Sequence, residues 1–344
     1  MTLQQLLGIE LPIIQAPMAG VQLHAMAAAV SSAGGLGSLP CAMLTPEAMG
    51  QELAALRDKT ARPYNVNFFC HTPPEPEARR EALWRETLAP YYREFGIEPA
   101  SVPAGPGRAP FSAEAADVLE PFRPAVVSFH FGLPGEALLQ RVRGWGSKIL
   151  ASATTVDEAR WLAARGVHAV IAQGVEAGGH RGMFLTDEIT TQVGTLALVR
   201  QIVKAVDLPV IAAGGIADAQ GVRAALALGA AGAQVGTAYL LCPEATTTAV
   251  HRAALKSAAV HHTALTRLFT GRPARGIVNR LMRELGPMSD KAPAFPLATA
   301  AIAPLRAKAE ARGSGDFSPL WSGQDASGCK EVGAAQLTRE LAAL

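Results

Sequence analysis

The sequence predicts an α/β fold: a (β/α)8 TIM barrel with an insertion after its third strand and a helical extension at its C-terminus. Three observations predict it. Short apolar runs recur eight times, helical stretches separate them, and the composition supplies a large core of small residues. The chain of 344 residues is 49% hydrophobic and 17% charged, with 33 Gly and 24 Pro. An average soluble domain is about 25% charged, so this one is charge-poor. That profile excludes disorder, which needs low hydrophobicity and high net charge. The glycines follow no three-residue period, which excludes collagen.

In chain order, the first strand, 11–16, ends on Pro17, and the second, 35–39, follows Gly34 and closes at Pro40. The third, 64–69, begins after Pro63, and the fourth, 125–129, after Pro124. The fifth, 148–151, is bounded by Ser147 and Ser152; the sixth, 169–172, ends at Gln173-Gly174. The seventh, 209–213, runs into Gly214-Gly215, and the eighth, 233–236, lies between Gly232 and Thr237. Runs this short, bounded by turn residues, suit strands buried on both faces. Helices are expected at 24–33, 46–59, 136–144, 156–165, 195–206 and 219–228. The last has Asp218 as a natural N-cap and Gly229 just past its end.

A barrel of this kind takes about 250 residues, so length is left over. It divides into a barrel of 1–70 and 125–242, an insertion of 71–124 and an extension of 243–344. The insertion is expected to hold a helix near 76–95 and an irregular stretch at 99–110. The extension is expected to carry helices near 246–258 and 304–312, packing on the barrel. The rival is an open doubly wound sheet. Its glycine fingerprint is absent after the first strand, where Gln15-Ala16-Pro17-Met18-Ala19-Gly20 stands instead.

Net charge is +2 with Lys and Arg scattered, so no basic stripe marks a nucleic-acid face. Cys41, Cys70, Cys242 and Cys329 form no zinc spacing, and free thiols suit a reducing cytoplasm. No metal site is expected. Residues 1–10 lack the pattern of a secretory signal. Two uncharged runs, 11–46 and 224–243, are interrupted by Pro, Gly and Gln, so they read as barrel segments rather than membrane spans. A cytoplasmic protein is expected, and its charge-poor surface permits a homodimer.

Barrel chemistry gathers at the carboxyl ends of the strands, with a phosphate commonly held after strands seven and eight. Ala213-Gly214-Gly215-Ile216 and Gln234-Val235-Gly236-Thr237 occupy those positions, and glycines let backbone N–H groups approach an anion. Each turn taken alone is also explained as a tight βα connection without a ligand. After strand six, Gln173-Gly174-Val175-Glu176-Ala177-Gly178-Gly179-His180-Arg181-Gly182 opens a long loop to Thr195. Its glycines place the His180 imidazole on a flexible backbone above the barrel mouth, suited to proton transfer or anion stabilisation. The plain alternative is a loop histidine bonded to backbone. Asn67 ends strand three with an amide able to meet a ring edge. His130 follows strand four and reads equally as a core histidine. His261, His262, Arg267, Arg272 and Arg275 in the tail read as surface or packing residues.

The stretch Pro12 to Gly20, the segment Gln173 to Gly182, Ala212 to Ile216, Gln234 to Thr237 and the late Leu320-Trp321-Ser322-Gly323-Gln324 resemble the nitronate monooxygenases. These were formerly called 2-nitropropane dioxygenases, and the likeness is to the first class of that family. It runs over nearly the whole chain. Gly-Gly-Ile is common to many flavin barrels; the segment ending in Gly178-Gly179-His180-Arg181-Gly182, with Gln15-Ala16-Pro17-Met18, is more specific. The resemblance implies an FMN barrel that oxidises nitronates with O2 to carbonyl compounds and nitrite, a detoxification of poisons like propionate 3-nitronate. By motif, Asn67, Gln173, Gly178, Gly215, Gln234, Val235, Gly236 and Thr237 would bind FMN. Ala16, Pro17 and Met18 would lie against its ring. His180 would be the catalytic residue, as base for a nitroalkane or stabiliser of an anion, and His130 would line the substrate pocket. One departure is Phe295-Pro296-Leu297, where relatives carry Tyr-Pro-Leu; a hydroxyl near the substrate is absent. The rival functions are an FMN-dependent NAD(P)H:quinone or enoyl-thioester reductase, a flavin-free barrel binding a phosphorylated metabolite, and an isomerase. The last wants Lys and Glu at strand ends, which this chain does not offer.

Overall fold

The structure is a computed structural model describing residues 2–99, 102 and 108–343. Eight parallel strands form the barrel: β1 (Ile13–Gln15), β2 (Gly37–Pro40), β3 (Tyr64–Phe69), β4 (Val126–His130), β5 (Lys148–Ala153), β6 (Ala169–Gln173), then β8 (Val210–Ala213) and β9 (Gly232–Val235). The sheet order β1-β9-β8-β6-β5-β4-β3-β2 is closed by a parallel bridge between Ile14 and Leu36. The eight expected strands are these eight. Within 174–194, a two-residue strand β7 (Gly179–His180) joins an antiparallel pair from the tail, β10 (Thr263–Thr266) and β11 (Ala274–Ile277).

Period-two alternation explains where the site falls. On β3, Tyr64, Val66 and Phe68 pack outward against helices, so Asn65, Asn67 and Phe69 point inward. Outward Val127 and Phe129 on β4 likewise leave Val126, Ser128 and His130 inside. On β5 and β6 the same logic turns Ser152 and Gln173 inward, and on β9 Gln234. The lower interior is apolar, built from Ile14, Leu36, Val126, Leu150, Ile171 and Ile211. Against it packs α1 (Leu3–Leu7), held by a reciprocal Thr2–Gln5 capping box. Gly232 is required there, because a Cβ would lie 2.5 Å from Leu3 Cδ2. The barrel is therefore filled from below mainly by apolar side chains, with Asn65 donating from Nδ2 to Ser38 Oγ at 3.0 Å among them, and most of its polar side chains gather at the upper rim.

Helices α2 (His24–Ser32), α3 (Pro46–Lys59), α4 (Ala78–Phe95) and α5 (Ala113–Leu119) follow in order. Of the two helices within 71–124, α5 serves as the barrel's third outer helix, wedged between α3 and α6 (Glu136–Gly144). The ring continues with α7 (Val156–Ala163), α8 (Thr195–Ala205) and α9 (Ala219–Ala227), whose Asp218 N-cap accepts from Gly221 N at 2.8 Å. The tail holds α10 (Ala249–Leu255), α11 (Arg280–Leu285), α12 (Ala298–Ala311) and α13 (Ala334–Leu341).

The insertion and the tail meet. Trp84, Leu88 and Tyr92 of α4 share a core with Ile302 and Leu305 of α12 and with Phe317. Trp84 Nε1 donates to Ala298 O at 3.2 Å and Tyr92 OH to Ala301 O at 2.6 Å. This docking corrects the expected start of the last long helix. It begins at Ala298 and passes through Pro304, because packing and these bonds offset the lost backbone donor. The final helix α13 packs instead on α2, with Tyr239 OH and Thr338 Oγ1 2.9 Å apart. The irregular stretch expected at 99–110 lies largely outside the described residues. Among them no helix is long and apolar enough to cross a membrane, and no His, Cys, Asp and Glu group is arranged to hold a metal. The four cysteines are free thiols.

Candidate active site

A cleft of about 1340 Å3, its open mouth included, lies over the carboxyl ends of the strands. Its lining unites most of the residues singled out from the sequence. Ala16, Pro17 and Met18 come from the end of β1, Asn67 from β3 and His130 from β4. Gln173 and Gly178 come from β6 and the loop after it, with His180 on β7. Gly215 follows β8, and Gln234, Gly236 and Thr237 end β9. Val235 is the exception. Alternation turns its side chain outward, where it is buried with Ile13, Met26 and Val222.

The glycine-rich loop is strand-paired at His180. The antiparallel register pairs His180 with Ala274 and Gly179 with Arg275, and Arg181 N donates to Pro273 O at 2.8 Å. Fully buried Arg181 clamps the turn: Nη1 donates to Gly174 O and Nη2 to Gln173 O, both at 2.7 Å. Its Nε donates to Gln192 Oε1 at 2.9 Å. The amide of Gln173 is spent the same way. Its Nε2 donates to His180 O at 2.9 Å, and its Oε1 accepts from Gly182 N at 2.7 Å.

His130 completes this scaffold. Nδ1 lies 3.0 Å from Ser152 Oγ and Nε2 lies 3.2 Å from His180 O, so both ring nitrogens are engaged by protein. A carbonyl can only accept, so Nε2 carries the proton and Nδ1 accepts from the serine hydroxyl. Burial depresses this imidazole to about 3, opposed by the bond to the His180 carbonyl. It is neutral at physiological pH. Gly182 leaves room for it, since a Cβ there would sit 2.7 Å from His130 Cε1. Asn67 likewise gives its Nδ2 to Ser128 Oγ at 2.9 Å.

The His180 ring is enclosed by aromatic groups. Centroid distances are 5.3 Å to Phe295, 5.6 Å to Trp321, 6.0 Å to Phe131 and 6.1 Å to Phe69. Nε2 lies 3.0 Å from Thr270 Oγ1, and among the described residues Nδ1 makes no hydrogen bond. Burial first, then the positive charge of Arg108, holds its pKa well below the usual histidine value. At neutral pH His180 is therefore an unprotonated imidazole beside an apolar cleft.

Another part of the cleft wall is built from backbone. Gly214 and Gly215 have φ of +117° and +68°, a conformation that favours glycine. A Cβ on Gly178 would lie 2.5 Å from Gly323 N, so the late Ser322–Gly323 segment crosses directly over this loop. Thr237 Oγ1 accepts from Gly323 N at 2.9 Å. Glu176, the nearest carboxylate in the loop, is committed to Thr195 N and Oγ1, each at 2.8 Å. On the inward face of β9, Gln234 Oε1 is buried without a partner.

Several lining residues escaped sequence reading. Phe69 could have been found, because it shares the inward face of β3 with Asn67. His251 and Arg108 carry no local signal, nor does Thr270, the partner of His180; all three arrive from distant segments. His251 is buried, with Nε2 3.1 Å from Trp321 O. Arg275 is a packing residue, as expected, donating from Nε to Val175 O at 2.9 Å.

The family model described as nitronate monooxygenase matches residues 1–343. A nitronate monooxygenase of Pseudomonas aeruginosa is 44% identical, the alignment covering 98% of this chain and 97% of that one. A nitronate monooxygenase of Paraburkholderia phytofirmans is 42% identical, with 98% and 92% covered. Among solved structures, a nitroalkane oxidase from Streptomyces ansochromogenes matches with TM-score 0.90 at 41% identity, covering 99% of this chain and 96% of that one. FabK from Thermotoga maritima matches more loosely, with TM-score 0.73 at 27% identity, covering 99% and 94%. A family model spanning the barrel, insertion and tail, joined to these near full-length relatives, places the chain in the nitronate monooxygenase family of oxidoreductases.

Proposed function

We propose that this enzyme oxidises alkyl nitronates with O2 to carbonyl compounds and nitrite, using FMN, and accepts nitroalkanes by first removing their α-proton through His180. The observation that carries this reading is the His180 imidazole, anchored through Nε2 and, among the described residues, unbonded at Nδ1, in the wall of a cleft that also has a glycine-rich lining.

The residues present suit FMN. Gly214, Gly215, Gly178, Gly236 and Thr237 offer backbone N–H groups and small size where a phosphate would be held. The unpartnered Gln234 Oε1 would accept from a ring N–H, and Ala16, Pro17 and Met18 would form the apolar bed. Asn67 commits its Nδ2 to Ser128 while its Oδ1 makes no hydrogen bond among the described residues, and Gln173 makes one bond from each end of its amide, so both keep capacity toward a flavin ring edge. When bound, the flavin supplies electron acceptance and, with O2, the redox chemistry.

The protein's own contribution is placement and proton handling. Arg272 O, 3.4 Å from Thr270 Oγ1, offers an acceptor for the hydroxyl proton, and in that arrangement Oγ1 accepts from His180 Nε2–H. The proposed base is this tautomer, with the lone pair on Nδ1. A nitroalkane entering the cleft loses its α-proton to Nδ1, leaving an imidazolium beside the nitronate; a preformed nitronate needs no such step. Phe69, Phe131, Phe295 and Trp321 exclude water around the base.

The reading is tested by releasing the flavin from purified protein by denaturation, identifying it by mass, and following nitrite and O2 uptake with ethylnitronate. FMN with equivalent nitrite release is expected; a protein without flavin, or one releasing no nitrite, contradicts it. Thr270→Val is expected to lower kcat/KM on nitroethane by about 10-fold or more, the usual cost of losing an orienting partner. Thr270→Ser should restore it, and ethylnitronate turnover should be little changed. Equal losses on both substrates would show that Thr270 is merely structural.

A further inference from the structure

The cleft is lined by a cation that forms no ion pair among the described residues; the carboxylate that also lines it, Asp325, accepts from Ser327 N and Oγ. Arg108, at the far end of the insertion, lines the same cleft as His180. Its guanidinium carbon stands 5.7 Å from the centroid of the Phe295 ring. Nη1 is buried without a hydrogen-bond partner, and Nη2 reaches only Met43 Sδ at 4.0 Å. Among the described residues no carboxylate pairs with it, and the charged group that acts on it is another cation, Arg306. Neighbouring arginines are differently placed. Arg181 and Arg275 donate to backbone carbonyls, and Arg272 donates to Met183 O while lying 4.0 Å from the Phe131 ring centroid. Buried arginine is ordinarily paired, because an unpaired buried charge is costly. Burial draws Arg108 down to about 10, so it remains cationic at neutral pH.

Resting on the nitronate reading above, we propose that Arg108 is a specificity-determining residue whose guanidinium recognises the oxyanion of the substrate. A nitronate presents two oxygens in a plane, as a carboxylate does, and the guanidinium fork matches that geometry. The same chemistry would serve a carboxylate on the substrate's alkyl chain. In either case Arg108 selects anionic substrates over neutral ones, and its charge reinforces the deprotonated state of His180.

The test uses the flavin-loaded enzyme, Arg108→Ala and Arg108→Lys, with ethylnitronate, propionate 3-nitronate and neutral nitroethane. Arg108→Ala is expected to raise KM for ethylnitronate by about 10- to 100-fold, the worth of a charge-assisted hydrogen bond, while KM for nitroethane moves less than about 2-fold. Arg108→Lys should recover part of the loss. A rise confined to propionate 3-nitronate also supports the assignment and identifies the distal carboxylate as the group read. Equal changes on all three substrates, or none, overturn it. Titration calorimetry with nitrate, a planar oxyanion, supplies a readout independent of turnover: binding should weaken about 10-fold or more in Arg108→Ala. Unchanged nitrate affinity overturns the assignment even if nitronate turnover stands. Absence of wild-type nitrite release, with nitrate binding still dependent on Arg108, would instead remove the nitronate reading alone.

Discussion

Replacing His180 with Asn is expected to lower kcat/KM on nitroethane by about 10²- to 10⁴-fold, the range for losing a positioned general base. The loss on ethylnitronate should stay below about 10-fold, because that substrate arrives without its α-proton. Asn retains a polar group near Thr270 but offers no basic nitrogen. The pH dependence follows from the depressed imidazole. A base whose pKa lies well below 6.5 is unprotonated from about pH 6 to pH 7.5, so wild-type kcat/KM on neutral nitroethane should be flat there. It should fall only as pH drops through the depressed value, where protonation removes the lone pair. Rates on both nitroethane and ethylnitronate compare the two proteins directly. Equal losses would reject the division of roles, and an acid limb at or above 6.5 would reject the neutral base.

Gly215→Asp is expected to yield folded protein retaining less than about a tenth of the wild-type flavin, since an unpaired carboxylate beside a phosphate costs several kcal/mol. Gly215 sits at φ +68°, which Asp enters more readily than most residues. An added Cβ would meet the Glu176 side chain at ordinary contact distance, Cβ at 3.4 Å and Cγ at 3.6 Å, so the fold has room for it. What changes is the charge, placed where backbone donors would face an anion. The visible absorbance per chain after purification measures the effect, with circular dichroism reporting the fold. Gly215→Asn, similar in size but uncharged, should keep most of the flavin. Full flavin in Gly215→Asp would place the phosphate elsewhere.

The barrel was legible because each strand carries its own evidence: a short apolar run, a Gly, Pro or Ser at its boundary, and a helix to follow. The rim residues Asn67, His130, Gln173 and Gln234 were legible as strand ends for the same local reason. What the sequence could not show depends on distant pairing. His180 is held by β11, more than ninety residues later in the chain, and that contact turns a glycine-rich loop into a paired strand. Its partner Thr270, the enclosing Phe295 and Trp321, and Arg108 come from four further segments. The docking of α4 on α12 belongs to the same class, since neither amphipathic face names its partner. Gln173 and His130 illustrate a different limit. Position identified them as site residues, but only the hydrogen bonds reveal that each supports the backbone of His180.

On the proposed function, electrons enter this enzyme from a nitronate and not from a reduced nicotinamide. Anaerobic rapid mixing of the purified enzyme tests it most directly, with flavin absorbance followed near 450 nm, a wavelength set by the cofactor. Prompt bleaching by ethylnitronate, with none by NADH or NADPH at equal concentration, is the predicted result. Rapid bleaching by either nicotinamide, with no response to the nitronate, would contradict the account and make the enzyme a reductase.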